Sequence, residues 1–344
     1  MSLWAVVLAG GVGSRFWPLS TPTRPKQLLP LASDHPLLVD TLARLEPLVP
    51  AERTLVLTNV ELRDPIQAIA PSLPAANLLT EPQPAGTAAA LTWAAAEIQR
   101  RAGDEAIMVC VHADWSIADP DAFRATLRRA AEVAALHHGL VTVGIVPTRP
   151  EIGYGYIRAG EAVTGGARRV ATFVEKPNRE RAEELCAEGC LWNSGIFVWR
   201  VGDFLAEVVA HTPEVAPALA ASAGDAELFF RSVTPVSVDV GVLERSHRVF
   251  VVPGDFGWDD VGTWASLARV RKADADGNTS SGPVHVLDAR DNVVHSEGNA
   301  VVLYGVEGLV VVVRDGLTLV TSVERAAELK LLLDALPASL RDLP

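Results

Sequence analysis

Leu3-Trp4-Ala5-Val6-Val7-Leu8-Ala9-Gly10-Gly11-Val12-Gly13-Ser14-Arg15-Phe16-Trp17-Pro18 opens the chain, and Arg24-Pro25-Lys26-Gln27 follows closely. The first six residues are an unbroken apolar run of strand length, as expected of a strand covered on both faces. A glycine-rich turn comes directly after it. Gly10, Gly11 and Gly13 allow the backbone to approach a polyphosphate and turn its N–H groups toward it. Arg15 and Lys26 add a planar, bidentate cation and a compact one. A purely structural turn would also fit the glycines alone. The stretch is not a Walker loop, because no Gly-Lys-Ser/Thr follows, and it departs from Gly-x-Gly-x-x-Gly, which would need a glycine at Phe16.

Outward from this stretch, apolar runs at 54–58, 106–111 and 140–146 alternate with helical patterns at 36–48, 87–101 and 120–138. Strand–helix repetition predicts an α/β fold with a Rossmann-like, doubly wound sheet, whose ligands bind beyond the carboxyl ends of the strands. Between 151 and 264 the spacing predicts strands at 153–157, 169–175, 191–200 and 247–252 and helices near 179–188 and 201–209. A turn cluster at 278–283 then introduces short valine-rich strands at 284–287, 292–295, 300–304, 309–313 and 317–321, and a helix over 323–336. The expected organisation is a domain over 1–275 and a small C-terminal β appendage with a terminal helix over 276–344, the appendage resembling a few coils of a β-helix.

The chain has 344 residues and a formal net charge of −12. A net-acidic chain argues against nucleic acid as a partner, which favours a basic surface. No apolar run reaches the length of a membrane span, and Met1 leads into the apolar run with no basic stretch before it, so neither a membrane partner nor a secretory signal is expected. Cys110, Cys186 and Cys190 form no disulfide framework, which points to the cytoplasm. Cys186 and Cys190 are expected on one helix, as packing residues.

Residues 8–27 resemble the signature of the sugar-phosphate nucleotidyltransferases, Gly-Gly-x-Gly-Ser/Thr-Arg-(Leu/Phe)-x-Pro followed by Pro-Lys-Gln. Trp17 before Pro18 and the Lys-Gln pair are most similar to the mannose-1-phosphate guanylyltransferases. Further segments agree in order up to about residue 267. Glu81-Pro82 with Gly86-Thr87-Ala88 resembles the base-binding segment, and His112-Ala113-Asp114 a metal-binding element. Gly153-Tyr154-Gly155, Phe173-Val174-Glu175-Lys176-Pro177 and Trp192-Asn193-Ser194-Gly195 resemble sugar-site segments. Ser237-Val238-Asp239 and Gly257-Trp258-Asp259-Asp260-Val261-Gly262-Thr263-Trp264 complete the set. Two departures stand out. Trp115 occupies a position where the family usually has His, and 85–88 shortens the bacterial Gly-Arg-Asn-Thr-Ala pattern, which bears on base preference.

The resemblance implies a mixed sheet of the nucleotide-diphospho-sugar transferase type and a reaction of GTP with mannose 1-phosphate giving GDP-mannose and pyrophosphate. It implies Arg15 and Lys26 as catalytic cations. Nucleotide would lie on Leu8, Ala9, Gly10, Gly11, Gly13, Ser14, Glu81, Gly86 and Thr87, and sugar phosphate on Gly155, Glu175, Lys176, Asn193 and Asp239. Asp114 and Asp260 would hold Mg²⁺, with Asp259 only solvated. Trp192, Trp258 and Trp264 are expected in the core. Long family members carry a further isomerase domain, for which this chain is too short, so a single activity is expected. A homodimer through the β appendage is left open. Two other readings are also open: a UTP-, dTTP- or ATP-dependent glucose-1-phosphate nucleotidyltransferase, and a non-catalytic sensor of sugar nucleotides.

Overall fold

A computed structural model describes residues 2–11 and 14–341. In chain order the strands are β1 (Leu3–Leu8), β2 (Thr54–Asn59), β3 (Leu78–Glu81), β4 (Ile107–His112), β5 (Ser116–Ile117), β6 (Leu140–Ile145), β7 (Tyr156–Val163), β8 (Ala167–Val174), β9 (Leu191–Arg200), β10 (Val249–Gly254) and β11 (Trp258–Asp259). The C-terminal region adds β12 (Thr279–Ser281), β13 (Val284–Leu287), β14 (Val293–Ser296), β15 (Val301–Tyr304), β16 (Leu309–Arg314) and β17 (Leu317–Ser322). The chain divides into two compact units. The first comprises Met1–Gly10, Ala43–His112 and Asp119–Phe256, and the second Gly11–Leu42, Ala113–Ala118 and Gly257–Pro344.

The first unit is built on a nine-stranded sheet in the order β3-β2-β1-β4-β9-β6-β10-β8-β7. β1 pairs in parallel with β2 and β4, and β6 in parallel with β10. β9 runs antiparallel between β4 and β6, so the sheet is mixed. The apolar runs become central strands because both faces are covered. Trp4, Val6, Leu55, Leu57, Met108 and Cys110 are buried with the alanine-rich helix Gly86–Ala102, while the alternate residues Ala5, Val7, Val56 and Val109 are equally buried. The helix Pro120–His137 packs on β6, β9 and β10; Asp119 caps it by accepting bonds from the Asp121 and Ala122 amides.

Several elements depart from the sequence expectation. The strand expected at 153–157 starts only at Tyr156 and continues to Val163, forming an antiparallel hairpin with β8. Gly165 and Gly166, both at positive φ, make its turn. Cys190 lies beyond the helix Arg179–Ala187, so it does not share that helix with Cys186. β3 and the helices Ala216–Ser222 and Ala226–Ser232 had no expectation.

The second unit takes its core from stretches far apart in sequence. Phe16, Trp17, Leu19, Leu29, Leu31 and Leu37 pack with Val261, Trp264 and Leu267 and with Val293, Val310, Val312 and Leu319. Its β region has parallel, in-register coils: β12 on β14 on β16, and β13 on β15. β17 returns antiparallel to β16 and ends the stack. β12 falls inside the expected turn cluster. The reason is Asn278, buried and donating to the Ala289 carbonyl, while its own Oδ1 accepts from Asn292 Nδ2 at 2.8 Å. Asn292 Oδ1 in turn accepts from the Leu309 amide. These asparagines satisfy backbone groups where one coil meets the next. The terminal helix is shorter than expected, with a 3₁₀ turn at Arg325–Glu328 before Leu329–Ala335. Among the described residues no helix is long and apolar enough to cross a membrane.

Candidate functional site

In the first unit the candidates gather at the carboxyl edge of the parallel strands. Leu8 ends β1, and Ala9 extends its ladder, donating to the Leu57 carbonyl while its own carbonyl accepts from Thr58 Oγ1. Gly10 follows, exposed, with a side-chain oxygen of Glu81 in van der Waals reach of where its Cβ would stand. Glu81 ends β3, and burial pushes its carboxyl up from 4.5 to about 7.

Gly86 has φ +81°, and a Cβ there would lie 2.4 Å from the Val236 carbonyl oxygen, so no other residue fits. Thr87 Oγ1 accepts from the Val238 amide at 2.9 Å. The start of the helix Gly86–Ala102 is thereby fastened to the segment that carries Asp239.

Because β9 is antiparallel, its first residues share that carboxyl edge, and Asn193 pairs in register with Gly144 near the end of β6. Asn193 Nδ2 donates to Asp239 Oδ1 at 2.8 Å, and its Oδ1 accepts from Thr142 Oγ1 at 3.3 Å. Its amide donates to the Gly155 carbonyl. A Cβ on Gly155 would lie 2.6 Å from Glu175 Oε2. Gly155, Glu175, Asn193 and Asp239 therefore form one cluster. Lys176 Nζ pairs with Glu175 Oε1 at 2.7 Å, with both side chains at least half exposed. Burial, and the charge of Glu175, raise the Asp239 carboxyl above its ordinary value, while the Asn193 bond and His112 oppose the shift. Thr142 belongs to none of the sequence motifs, and His112 enters them only as the first residue of the His112-Ala113-Asp114 element. His112 carried a signal, since it ends a central strand; Thr142 sits mid-strand and carried none.

The second unit gathers the charged candidates. Lys26, in the short 3₁₀ turn Lys26–Leu28, is 6% exposed, unusual for a lysine. Its Nζ donates to Asp114 Oδ2 at 3.0 Å and to the Asp260 carbonyl at 2.6 Å. It also lies 5.9 Å from the Phe16 ring centroid. Three segments far apart in sequence thus converge on one ammonium. Asp114 precedes β5 and Asp260 follows β11, and β5 and β11 pair with each other. Trp115, the departure from the usual histidine, is buried edge-on against Trp258, centroids 5.8 Å apart.

Asp259 is not solvated. It is 7% exposed, takes two bonds from the Arg269 guanidinium at 2.6 and 3.1 Å, and accepts from the Val261 amide. That last bond holds Val261 at φ +46°, a left-handed conformation costly for a β-branched residue. The two adjacent aspartates thus differ: Asp259 is buried and fixes the backbone, whereas Asp260 is only partly buried, its Oδ2 close to Gly262.

Arg15 is exposed in the 3₁₀ turn Ser14–Phe16, and Gly11 is exposed just before it. Gly13 lies outside the described residues. Trp192, Trp258 and Trp264 are all buried, as expected for core residues. Among the described residues no group of three or more His, Cys, Asp or Glu could by itself hold a metal ion.

The model of the nucleotidyl transferase family matches residues 4–277 of the chain. The chain is 42% identical over 331 residues to a mannose-1-phosphate guanylyltransferase of Escherichia coli K12, covering 90% of this chain and 68% of that protein. A second Escherichia coli protein of that name is 37% identical over 95% of this chain and 72% of its own length. Among solved structures, one described as a mannose-1-phosphate geranyltransferase from Thermus thermophilus superposes with a TM-score of 0.89 at 36% identity, over 97% of this chain and 99% of that one. A UDP-glucose pyrophosphorylase of Acinetobacter baumannii, at 15% identity and a TM-score of 0.52, shares the fold. The sheet, the ordered motifs and these relatives together show that the chain belongs to the nucleotidyl transferase family, in its mannose-1-phosphate guanylyltransferase branch.

Proposed function

We propose that the protein joins mannose 1-phosphate to the guanylyl group of GTP, releasing pyrophosphate and forming GDP-mannose. The observation that carries the reading is the buried Lys26 ammonium bonded to both Asp114 and Asp260, on a chain whose relatives bear that activity in their names.

The chemistry suits these groups. A phosphate monoester has its second pKa at about 6, so the attacking oxygen is already mostly deprotonated at neutral pH and needs no general base. The obstacle is the meeting of two anions, and fixed cations and aimed N–H groups lower it. We assign Lys26 and Arg15 to the phosphates, with the backbone of Leu8, Ala9, Gly10, Gly11, Gly13 and Ser14. Asp114, through its carboxylate, and Asp260, through its backbone carbonyl, both meet the Lys26 ammonium, and their hard carboxylate oxygens suit Mg²⁺, an ion that takes one or two protein carboxylates and completes its shell with water and substrate phosphates. When bound, such an ion supplies a Lewis acid to phosphate oxygens.

The first unit supplies hydrogen-bonding recognition. Asn193, Asp239, Glu175 and the Gly155 backbone offer donors and acceptors for sugar hydroxyls, with Lys176 toward the sugar phosphate. Ionised Glu81 can accept from the N–H groups on guanine's edge, while Gly86 and Thr87 shape the floor. The 2-amino donor sets guanine apart from adenine, which supports GTP over ATP. The three cysteines are free thiols, which supports a reducing compartment such as the cytoplasm. The family match ends at residue 277, which supports 1–275 as the transferase domain and 276–344 as an appendage.

The test is a panel of triphosphates and sugar 1-phosphates, with pyrophosphate release measured with and without Mg²⁺. GTP with mannose 1-phosphate should give the highest kcat/KM. A clear preference for UTP with glucose 1-phosphate would overturn the assignment, and no release with any pair would favour a sensor.

A further inference from the structure

The second unit holds a set of ion pairs that the proposed chemistry does not use. Arg24 stands two residues before Lys26. Its backbone is closed into a small turn, N–H to the Thr21 carbonyl and carbonyl to the Thr21 amide, each at 3.1 Å. Its guanidinium grips Glu297 through two bonds, Nη1 to Oε2 at 3.0 Å and Nη2 to Oε1 at 2.7 Å. Two parallel bonds fix direction as well as distance, which a single lysine contact would not. Glu297 is itself anchored. It directly follows β14, its amide donates to the Val313 carbonyl, and Arg314 Nε lies 3.8 Å from its carboxylate. The Arg24 pair holds the Glu297 carboxyl below its ordinary value, so the pair stays charged at neutral pH.

Two further arginines grip the backbone on either side of Lys26. Arg314 Nη1 donates to the carbonyls of Pro18 and Leu19 at 3.0 and 3.3 Å. Arg271 Nε donates to the Leu31 carbonyl at 2.6 Å, and its Nη2 meets His295 Nδ1 at 3.1 Å. Burial, with Arg271 alongside, pushes His295 down to about 4, which keeps its ring neutral and able to accept that bond. The buried ammonium of Lys26 is worth most when held in one place, because a displacement of about 1 Å can cost on the order of 100-fold in rate.

We propose that Glu297 and Arg24 are positioning residues for Lys26, a latch by which the C-terminal β coils hold the lysine's turn in its working place. The inference rests on the assignment of Lys26 to the phosphates of GTP. The experiment compares Glu297→Gln, the exchanged pair Arg24→Glu with Glu297→Arg, Lys26→Ala, and Lys26→Ala with Glu297→Gln. It measures kcat, KM for each substrate, GTP affinity by calorimetry and the unfolding midpoint.

Glu297→Gln should lower kcat/KM for GTP roughly tenfold or more, leave KM for mannose 1-phosphate unchanged, and move the midpoint little. The exchanged pair should recover part of the loss. In the Lys26→Ala background, Glu297→Gln should cause no further loss of GTP affinity, because residues acting through one another are not additive. Full GTP kinetics in Glu297→Gln alongside an inactive Lys26→Ala would overturn the latch alone. An equal further loss in the Lys26→Ala background would do the same, marking the pair as merely structural. Normal turnover in Lys26→Ala would remove the phosphate assignment and the latch with it.

Discussion

The two units solve opposite electrostatic problems with opposite materials. In the first, Glu81 ends a strand and Asp239 is bonded to Asn193 at the start of another, and burial drives both carboxyls toward neutrality: Glu81 to about 7, and Asp239 upward in the same direction. In the second, Lys26 sits on a 3₁₀ turn and Asp259 holds a left-handed valine, and the charged groups are paired: Lys26 with Asp114, Arg269 with Asp259, Arg24 with Glu297. A sheet edge sets donors and acceptors at fixed spacing, which suits hydroxyls and bases. Fixed charge needs a partner for every ion, and irregular backbone lets partners from distant segments meet. The contrast separates recognition from charge handling, and each half can be broken by itself.

The largest expected effects come from the charged set. Lys26→Ala and Asp260→Ala should each lower kcat by about 100- to 1,000-fold or more, with an unchanged far-UV circular dichroism spectrum. A rise in the sugar-phosphate KM with kcat preserved would place these residues on the wrong side of the comparison.

Next comes Glu81. Its carboxyl holds a proton in the folded chain that the unfolded chain releases, so stability should fall as pH rises from about 4.5 to about 7 and level off above. The shift sets an upper bound of ~3 kcal/mol. Glu81→Gln should flatten that slope in urea titrations and raise stability at pH 8. It should also abolish the gain in GTP affinity expected between pH 6 and 8 as the carboxyl ionises. An unaltered slope would show that another group carries it.

Asn193→Ala should raise the KM for mannose 1-phosphate by about ten- to 100-fold, the loss of one or two buried hydrogen bonds, and leave GTP affinity unchanged. Smallest is a control away from both sets. Ala223 is exposed at φ +48°, closing the helix Ala216–Ser222; Ala223→Gly should stabilise by less than about 1 kcal/mol, with unaltered kinetics.

The same contrast explains what sequence could show. β1, β2, β4 and β6 are legible because strands covered on both faces leave unbroken apolar runs. β3 is not, since Leu78-Leu79 is followed at once by Thr80 and Glu81. The cluster of Gly155, Glu175, Asn193 and Asp239 could be named from motifs, yet the bond from Asn193 to Asp239 spans 46 residues and leaves no local trace. Asp259 misled for the same reason: beside Asp260 it reads as a spare carboxylate, and only Arg269, ten residues on, reveals its burial. Asn278 reads as turn chemistry because asparagine favours turns. Its partner is the next coil's Asn292, a relation that exists only once the coils stack.

That asparagine rung has a consequence for how the coils vary and open. Asn278 and Asn292 are 14 residues apart, while Asn292 reaches the amide of Leu309, 17 residues on. The repeat is thus pinned at its rungs and loose between them. Insertions should be tolerated in the intervening loops and not at the rungs. Since each rung shares an amide with the next, the coils should open as one unit, and the amide protons of Asn292 and Leu309 should exchange with solvent at a common rate.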